Sequence, residues 1–380
     1  MADLESRLFL SATGAGVLKE KTKSLTGYDM EPWQHSLQNA LTDPRQLASH
    51  FAIDPAPLLA VAQRYPLRIT PYYLALLQEP GDPLWRQCVP DPAELTADSL
   101  LSDPLSEAHL SPVPGLVHRY PDRALLLTTA TCALYCRFCT RKRSIGCRPD
   151  HTPDFAAALA YIAQRPALHE IILSGGDPLL LGDDRLDDLL SRLRAIPHVA
   201  TIRIHSRAPV VLPERITERL ATLLGRHHPL YLNTHFNHPR ELTPEATEAC
   251  RRLADAGIPL GNQSVLLRGV NDDAETLRSL FRGLLRLRVR PYYLHHGDLV
   301  AGTAHLRTTI ETGLSLIAAL RNTLPGMAIP QYVIDLPGGR GKVPLLPDAI
   351  QQLGATAIIR AANGEGVAIA NPCHGGVARR

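Results

Sequence analysis

Three cysteines at spacings of four and three residues, Cys132, Cys136 and Cys139, are the residues best suited to chemistry in this sequence. They follow the apolar run 124–130, which predicts a buried strand, so the thiolates belong to the loop at its C-terminal end. Such thiolates bind soft metals, and a 4Fe–4S cluster held by three cysteines leaves one iron open to another ligand. The spacing alone also allows a zinc site completed by Cys147, or three unrelated buried cysteines.

A lysine in a glycine-rich loop is the second candidate for chemistry. Lys342 lies in the segment 335–344, directly after three glycines and an arginine at 338–341. A lysine in such a permissive loop can carry pyridoxal phosphate as a Schiff base, provided that its surroundings support the neutral amine. A solvated lysine in a surface loop is the commoner case, and the loop alone does not exclude it.

Two further segments carry polar residues next to predicted strands. Arg119, Tyr120 and Arg123 precede the first strand, and the guanidinium groups suit bidentate binding of an oxyanion. The segment 175–178, Gly-Gly-Asp-Pro, follows the second strand, and its glycines allow the backbone to approach a ligand closely. A solvated basic turn and an ordinary tight turn are the alternatives for these two segments.

Repeated strand and helix patterns position these residues. Apolar β-rich runs recur about every 30 residues from Ala124, each followed by an amphipathic helical pattern, as βα units require. Parallel strands joined by helical crossovers close into a full or partial barrel whose chemistry gathers at the strands' C-terminal ends. The predicted strands are 124–130, 169–174, 200–206, 230–236, 261–267 and 290–296, and the predicted helices lie near 153–164, 184–195, 214–225, 243–256, 273–288 and 306–323.

The segments on either side of these repeats have different sequence patterns. Proline-broken helical patterns, such as 33–41 and 56–62, predict an N-terminal helical region, and 89–115 is interpreted as an extended surface linker. Apolar runs at 328–336 and 357–370 predict a C-terminal extension over the barrel mouth. The predicted division is therefore 1–110, 111–327 and 328–380.

Composition limits the class of protein. The 380 residues have a formal net charge of +3, which gives no reason to expect nucleic acid or a membrane as partner. Acidic residues near the start, where a signal peptide would be basic, and the lack of an 18-residue apolar run predict a cytoplasmic protein. Seven unevenly spaced cysteines do not form a disulfide framework.

The cysteine motif, with Phe138 just before its last cysteine, resembles that of the radical S-adenosylmethionine enzymes. The continuation 139–143, Cys-Thr-Arg-Lys-Arg, and the Pro-Gly-Gly-x-Gly-Lys segment ending at Lys342 are similar to those of the lysine 2,3-aminomutase family. The similarity runs from about Asp82 to Pro347. It implies an α/β fold with a six-stranded partial TIM-like barrel, a 4Fe–4S cluster on the three cysteines, S-adenosylmethionine and pyridoxal phosphate.

The resemblance also implies roles for individual residues. Gly175, Gly176 and Asp177 match the segment for the adenosylmethionine amino group, and His235 and Gln263 match positions near its ribose. Arg119, Tyr120 and Arg123 match the phosphate anchor, and Lys342 matches the lysine that carries pyridoxal phosphate.

For the substrate, Arg141 matches the receptor of the α-carboxylate, and Asp298 and Asp335 match the carboxylates that bind the distal ammonium of lysine. Two carboxylates facing one ammonium offset its desolvation, whereas glutamate would need a cation there. The implied reaction is isomerisation of L-lysine to β-lysine by an aminomutase, with a reductant such as flavodoxin or ferredoxin.

The sequence departs from the family at a structural zinc site. Asp273 stands where the clostridial type has a cysteine, and the C-terminus offers only Cys373 and His374, so we expect no structural zinc. Whether this chain forms the homo-oligomer that the family builds around that zinc is therefore left open. Three other functions also remain open: β-lysine formation for elongation factor P, a 2,3-aminomutase for another amino acid, and a non-catalytic metal-binding scaffold.

Overall fold

One sheet organises the described chain. The computed structural model describes residues 30–96, 100–146, 155–346, 349–354, 356–361 and 365–370. In these ranges the main sheet has nine strands, which are neighbours in the order of the chain. They are β1 (Leu116–Tyr120), β2 (Arg123–Thr129), β3 (Glu170–Gly175), β4 (Thr201–His205), β5 (Leu230–Thr234), β6 (Leu260–Leu266), β7 (Val289–His296), β8 (Gln331–Asp335) and β9 (Lys342–Pro344).

The strands from β2 to β8 are parallel. β1 pairs antiparallel with β2 at one edge, and β9 pairs antiparallel with β8 at the other. Each parallel step includes a helical crossover, which parallel neighbours need. Because β1 and β9 are the two edges of the sheet, the barrel is open. The predicted α/β partial barrel is confirmed.

The six predicted strands correspond to β2 through β7, with limits within two residues of those expected. The parallel sheet nevertheless has a seventh strand, since the run 328–336 contains β8, which pairs with β7. Apolar periodicity identifies a strand without indicating which sheet it joins, so the sequence placed this run in the C-terminal extension. The predicted division at 110 and 327 stays a prediction. The described residues from Pro32 onward form one compact unit.

Helices precede the sheet and cover its outer face. The predicted helical patterns at 33–41 and 56–62 form helices, whereas residues 1–29 and the start of the helix predicted at 153 lie outside the described residues. The helices before the sheet are α1 (Pro32–Gln38), α2 (Pro44–Leu47), α3 (Ala56–Arg64), α4 (Pro71–Leu74) and α5 (Trp85–Cys88). Those that follow parallel strands are α6 (Ala156–Ala163), α7 (Asp183–Arg194), α8 (Ala208–Val211), α9 (Glu218–Gly225), α10 (Pro244–Asp255), α11 (Ala274–Arg286) and α12 (Ile310–Arg321).

The spacing of apolar side chains along the helices and strands explains how the helices pack on the sheet. Helix α11 begins at the N-cap Asp273, which accepts a hydrogen bond from Thr276 N, and its residues Leu277, Phe281 and Leu284 are fully buried on one face. In the strands alternate side chains point to opposite faces. The outward residues pack under helices, and the inward residues face a cavity.

The segment 89–115 differs from the predicted extended linker on the surface. It contains a 3-10 helix at Pro92–Leu95, and its carboxylates Glu94 and Glu107 are buried. Both approach the cysteine loop and pair there with basic residues, which explains why this segment enters the interior.

The C-terminal residues form a separate antiparallel sheet of three strands. These are β10 (Ile350–Gln352), β11 (Thr356–Arg360) and β12 (Gly366–Ala370), and the residues of β10 and β12 are exposed. Among the described residues, those that line the main cavity end at Pro344. None of the helices in the described ranges is both long and apolar enough to cross a membrane.

Candidate active site

A single cavity of about 620 Å³ collects the residues proposed from the sequence. It lies against the inner face of the sheet and reaches the loops that follow its parallel strands. In β4, for example, Arg203 and His205 face the cavity, while Ile202 and Ile204 are fully buried on the other side. All fifteen candidate residues line it: Arg119, Tyr120, Arg123, Cys132, Cys136, Cys139, Arg141, Gly175, Gly176, Asp177, His235, Gln263, Asp298, Asp335 and Lys342.

The three cysteines of the loop after β2 are free thiols at one end of this cavity. Burial, Asp177 and the neighbouring thiols raise the pKa of Cys132, and burial raises the pKa of Cys139 to about 11. Buried thiols of this kind ionise only when a cation compensates their charge. The donor set therefore fits an iron–sulfur cluster, which supplies that positive charge.

Arg207, just after β4, is aimed at this loop. Its Nη1 donates to Cys136 Sγ at 2.8 Å, and its Nη2 donates to Gln87 and to Glu241. The sequence interpretation missed Arg207. A charged residue one position beyond a predicted strand's C-terminal end was the available signal, because such ends carry chemistry in parallel barrels.

A buried ion cluster supports the loop from behind. Glu94 accepts from Arg137 Nε at 2.8 Å and lies 2.6 Å from Lys142 Nζ, so one carboxylate faces two cations. Burial and the charge of Arg137 lower the pKa of Lys142 to about 8. The basic residues were visible in the sequence, but their partner lies more than 40 residues upstream.

The Gly-Gly-Asp-Pro segment packs against the cysteine loop. Gly176 N donates to Thr129 O at 2.6 Å, and Asp177 N donates to Thr131 O at 2.9 Å. Gly175 has a φ of +109°, which favours glycine, and a Cβ on Gly176 would collide with the backbone of Thr131. Two glycines are thus required for this backbone contact.

We expect Gly176→Ala to displace the cysteine loop. The added methyl group would lie 2.7 Å from Thr131 N, so the backbone must shift, and overpacking of this kind costs about 1–3 kcal/mol of stability. Thermal unfolding and iron content after anaerobic reconstitution measure the effect, and both should fall. Gly182→Ala is the matched control, because a Cβ there meets nothing within 4 Å. Equal iron content in both variants would contradict the expectation.

The Asp177 carboxylate already has protein partners. It accepts hydrogen bonds from Ser206 Oγ at 2.7 Å and from the backbone N–H groups of Arg207 and Leu179. Burial raises its pKa, although these donors oppose the shift. Its contacts join the ends of β3 and β4.

His235 directly follows β5 and Gln263 lies within the adjacent strand β6, in or near these strands as the sequence predicted. Burial and the nearby Arg207 lower the pKa of His235 to about 3, so its imidazole is neutral. His205, on the neighbouring β4, stacks edge-on with its ring at 6.4 Å. A neutral imidazole beside a buried amide suits hydrogen bonds to hydroxyl groups.

Lys342 begins the edge strand β9 and points into the cavity. Its Nζ lies 2.5 Å from Asp335 Oδ2, 3.2 Å from His295 Nδ1 and 5.2 Å from the centre of the Tyr293 ring. Its backbone N–H donates to Tyr120 Oη at 3.0 Å. An amine beside an aromatic ring in a cavity with arginines nearby fits pyridoxal phosphate.

The three residues predicted to anchor a phosphate lie together at the β1 edge. Arg119 Nη1 donates to Asp335 at 3.4 Å, while Arg123 pairs with Asp122 and lies 4.0 Å above the Tyr120 ring. Their role as phosphate ligands stays a prediction.

Arg141, the predicted carboxylate receptor, is held on one edge by Glu107. Nε and Nη2 donate to the two Glu107 oxygens at 3.0 and 2.7 Å, and Nη1 points to Ser174 Oγ at 3.4 Å. The bidentate pair fixes the plane of the guanidinium group. Glu107 was missed, because nothing in the sequence around it marks a partner 34 residues away.

The two predicted ammonium receptors have different partners. Asp335 pairs with Lys342, and although burial opposes the shift, His295 and Lys342 lower the pKa of Asp335. Asp298 accepts from Thr140 Oγ1 at 2.6 Å, but its Oδ1 is buried without a hydrogen-bond partner in the described chain. Burial and the charge of Asp335 raise the pKa of Asp298. Within the described chain this oxygen lacks the donor that a buried carboxylate oxygen normally has.

Within the ranges that the structure describes, no three His, Cys, Asp or Glu side chains are arranged to hold one metal ion. Cys147, Cys373 and His374 lie outside the described residues, so the expected lack of structural zinc stays a prediction.

Comparison with known proteins matches the part of the chain that contains the cysteine loop to a known superfamily. Residues 126–280 match the model of the radical SAM superfamily, and residues 317–373 match a model described as lysine-2,3-aminomutase. The solved structure of a radical SAM methyltransferase from Sphaerobacter thermophilus aligns with a TM-score of 0.42 at 20% identity, covering 60% of this chain and 69% of that one. The match of residues 126–280 gives the class, which is that of the radical SAM enzymes, whose members use a 4Fe–4S cluster and S-adenosylmethionine.

Curated relatives define the family more closely. L-lysine 2,3-aminomutase from Clostridium subterminale is 45% identical over 357 residues, covering 92% of this chain and 85% of that protein. Glutamate 2,3-aminomutase from Clostridioides difficile is 38% identical over 351 residues, covering 90% and 83%. The chain belongs to the lysine 2,3-aminomutase family.

Proposed function

We propose that this protein converts L-lysine to β-lysine with pyridoxal phosphate as a second cofactor. When bound, the cluster and S-adenosylmethionine supply a 5′-deoxyadenosyl radical that removes a β-hydrogen from lysine, and pyridoxal phosphate carries the migrating amino group. Electrons would come from a small reductant protein such as flavodoxin or ferredoxin. A reducing compartment such as the cytoplasm keeps the cluster thiols available.

The observation that carries the proposal is Asp298 Oδ1, which is buried and has no hydrogen-bond partner among the described residues. A buried carboxylate oxygen in a cavity, next to a second carboxylate on Asp335, attracts a cationic group. The distal ammonium of lysine supplies both the charge and the missing hydrogen-bond donors. Glutamate would bring a third carboxylate to this place, which disfavours it as the substrate.

The opposite end of the substrate is assigned to Arg141. The guanidinium edge that Glu107 leaves free, at Nη1, would receive the α-carboxylate. Because Arg141 follows Cys139 by two residues, it would hold the reacting part of lysine beside the cluster loop. Orientation of this kind lowers the barrier of a step between bound groups.

An anaerobic assay tests the proposal. Protein reconstituted with iron, sulfide, S-adenosylmethionine, pyridoxal phosphate and reductant is expected to form β-lysine from L-lysine, and to act poorly on a panel of other amino acids that includes glutamate. Formation of β-glutamate in preference to β-lysine would contradict the substrate assignment. A purified protein that binds iron but isomerises no amino acid would favour the scaffold alternative.

Glu107→Gln is expected to raise the KM for lysine about tenfold with little change in kcat. The amide cannot form the charge-assisted pair that fixes Arg141, and a hydrogen bond to a charged group contributes about 1.5 kcal/mol or more. Steady-state kinetics measure the change, with Glu311→Gln on the exposed start of α12 as control. An unchanged KM would show that Glu107 does not position the carboxylate receptor.

A further inference from the structure

We propose that His295 is a catalytic residue that moves a proton to and from Lys342 Nζ when this amine bonds to the aldehyde carbon of pyridoxal phosphate. The inference rests on the proposed function, in which Lys342 carries that cofactor. It adds a proton acceptor that the sequence interpretation did not include.

The position of one ring nitrogen supports this role. His295 Nδ1 lies 3.2 Å from Lys342 Nζ and 3.5 Å from Asp335 Oδ2, so both an ammonium donor and a carboxylate acceptor are within its reach. Without a proton, Nδ1 accepts from Lys342, and with a proton it donates to Asp335. Both protonation states therefore have a partner in place.

Asp335 is poorly suited to the same task. It lies closer to Lys342, but its lowered pKa makes it a weak base. A neutral imidazole is a stronger base than this carboxylate. Burial and Lys342 lower the pKa of His295, while its hydrogen bond to Asp335 opposes the shift; the ring is therefore held neutral, with one nitrogen free to accept a proton.

The step balances as follows. The Lys342 ammonium gives one proton to His295 Nδ1, and the freed Nζ lone pair forms a bond to the aldehyde carbon. His295 returns its proton to the carbonyl oxygen, Nζ loses a second proton to the same oxygen, and the oxygen leaves as water. The nitrogen keeps one proton and the positive charge, so no co-reactant or net proton is needed.

The other charged and titratable groups near His295 come from several elements. Asp335 on β8 and Lys342 on β9 contact it directly, and Tyr293 on its own strand lies edge-on at 5.4 Å. Further groups that affect its charge or are affected by it are Asp298, His205 and His235. The pH dependence of the condensation reports on this group of residues as a whole.

The test follows the condensation of pyridoxal phosphate with the full-length protein by absorbance, with borohydride trapping and peptide mapping at Lys342. His295→Asn keeps a hydrogen-bond acceptor near Nδ1 but removes the base. We expect the rate at pH 7 to fall about 100-fold and to rise about tenfold per pH unit, whereas the wild-type rate stays flat. Added imidazole should restore part of the rate.

Controls separate this inference from the proposed function. His118→Asn, at a histidine bonded to Tyr161 and not among the residues lining the cavity, should keep the wild-type rate. Circular dichroism checks that His295→Asn and a second variant, His295→Gln, are folded. The concentration of pyridoxal phosphate at half-saturation checks that both variants bind the cofactor. Wild-type rates and pH profiles in both variants would overturn the inference. A wild-type protein without trapped Lys342 would instead refute the cofactor assignment.

Discussion

Replacing Cys136 with alanine is expected to remove the iron–sulfur cluster and to bring lysine isomerisation below detection. Cys136 is a predicted cluster ligand, and its Sγ also accepts the hydrogen bond from Arg207 at 2.8 Å. Without this thiolate two cysteine ligands remain on the loop, too few for a cluster that leaves one iron open. Iron and sulfide content, the visible spectrum and an anaerobic assay measure the loss.

Cys250→Ala is the control for this experiment. Cys250 is equally a free cysteine, but it is buried in α10 among apolar residues and does not line the cavity. Its replacement should leave the iron content and the assay near wild-type values, with a loss of stability of about 1 kcal/mol. A Cys136→Ala protein that still binds four irons would exclude Cys136 as a ligand.

Asp298→Asn is expected to raise the KM for lysine about 10- to 100-fold. Its buried Oδ1 has no hydrogen-bond partner in the described chain, so removal of the charge weakens the attraction for the substrate ammonium. Hydrogen bonds to charged groups contribute about 1.5–3 kcal/mol, which corresponds to this range. The measurement is steady-state kinetics under anaerobic conditions.

Asp335→Asn provides an informative comparison, because this carboxylate also pairs with Lys342. We expect it to raise the KM for lysine and also to change the absorbance and pH dependence of bound pyridoxal phosphate, whereas Asp298→Asn should change only the KM. Asp184→Asn on the exposed surface of α7 is the control and should behave as wild type. Unaltered kinetics in both cavity variants would refute the lysine assignment.

Much of the fold was predictable, because it rests on local patterns. The six strands β2 to β7 and the helices between them follow from the alternation of period-two and period-3.6 apolar residues. The glycine-rich loop at Lys342 and the cysteine loop were visible as motifs. Since parallel strands carry their chemistry at one end, the sequence also predicted that these motifs meet, and all fifteen candidates do line one cavity.

The residues that were missed act through contacts between distant parts of the chain. Glu107 reaches Arg141 across 34 positions, and Lys342 reaches His295 across 47. Glutamate and histidine are common in loops and strands, so neither has a local signature. The seventh strand β8 was misplaced for a related reason, because its apolar period identifies a strand without indicating that its partner is β7.

Because the barrel is open, Lys342 has a second, structural role. β1 and β9 are opposite edges of the sheet, and the hydrogen bond from Lys342 N to Tyr120 Oη, together with the pair of Arg119 and Asp335, spans the gap between them. A cofactor bonded to Lys342 on the β9 edge and held by the arginines near the β1 edge would link the two edges across this gap. Binding of the cofactor should therefore raise the melting temperature of the protein. Its loss should make the β1 and β9 edges, which border the cavity beside Lys342, more mobile.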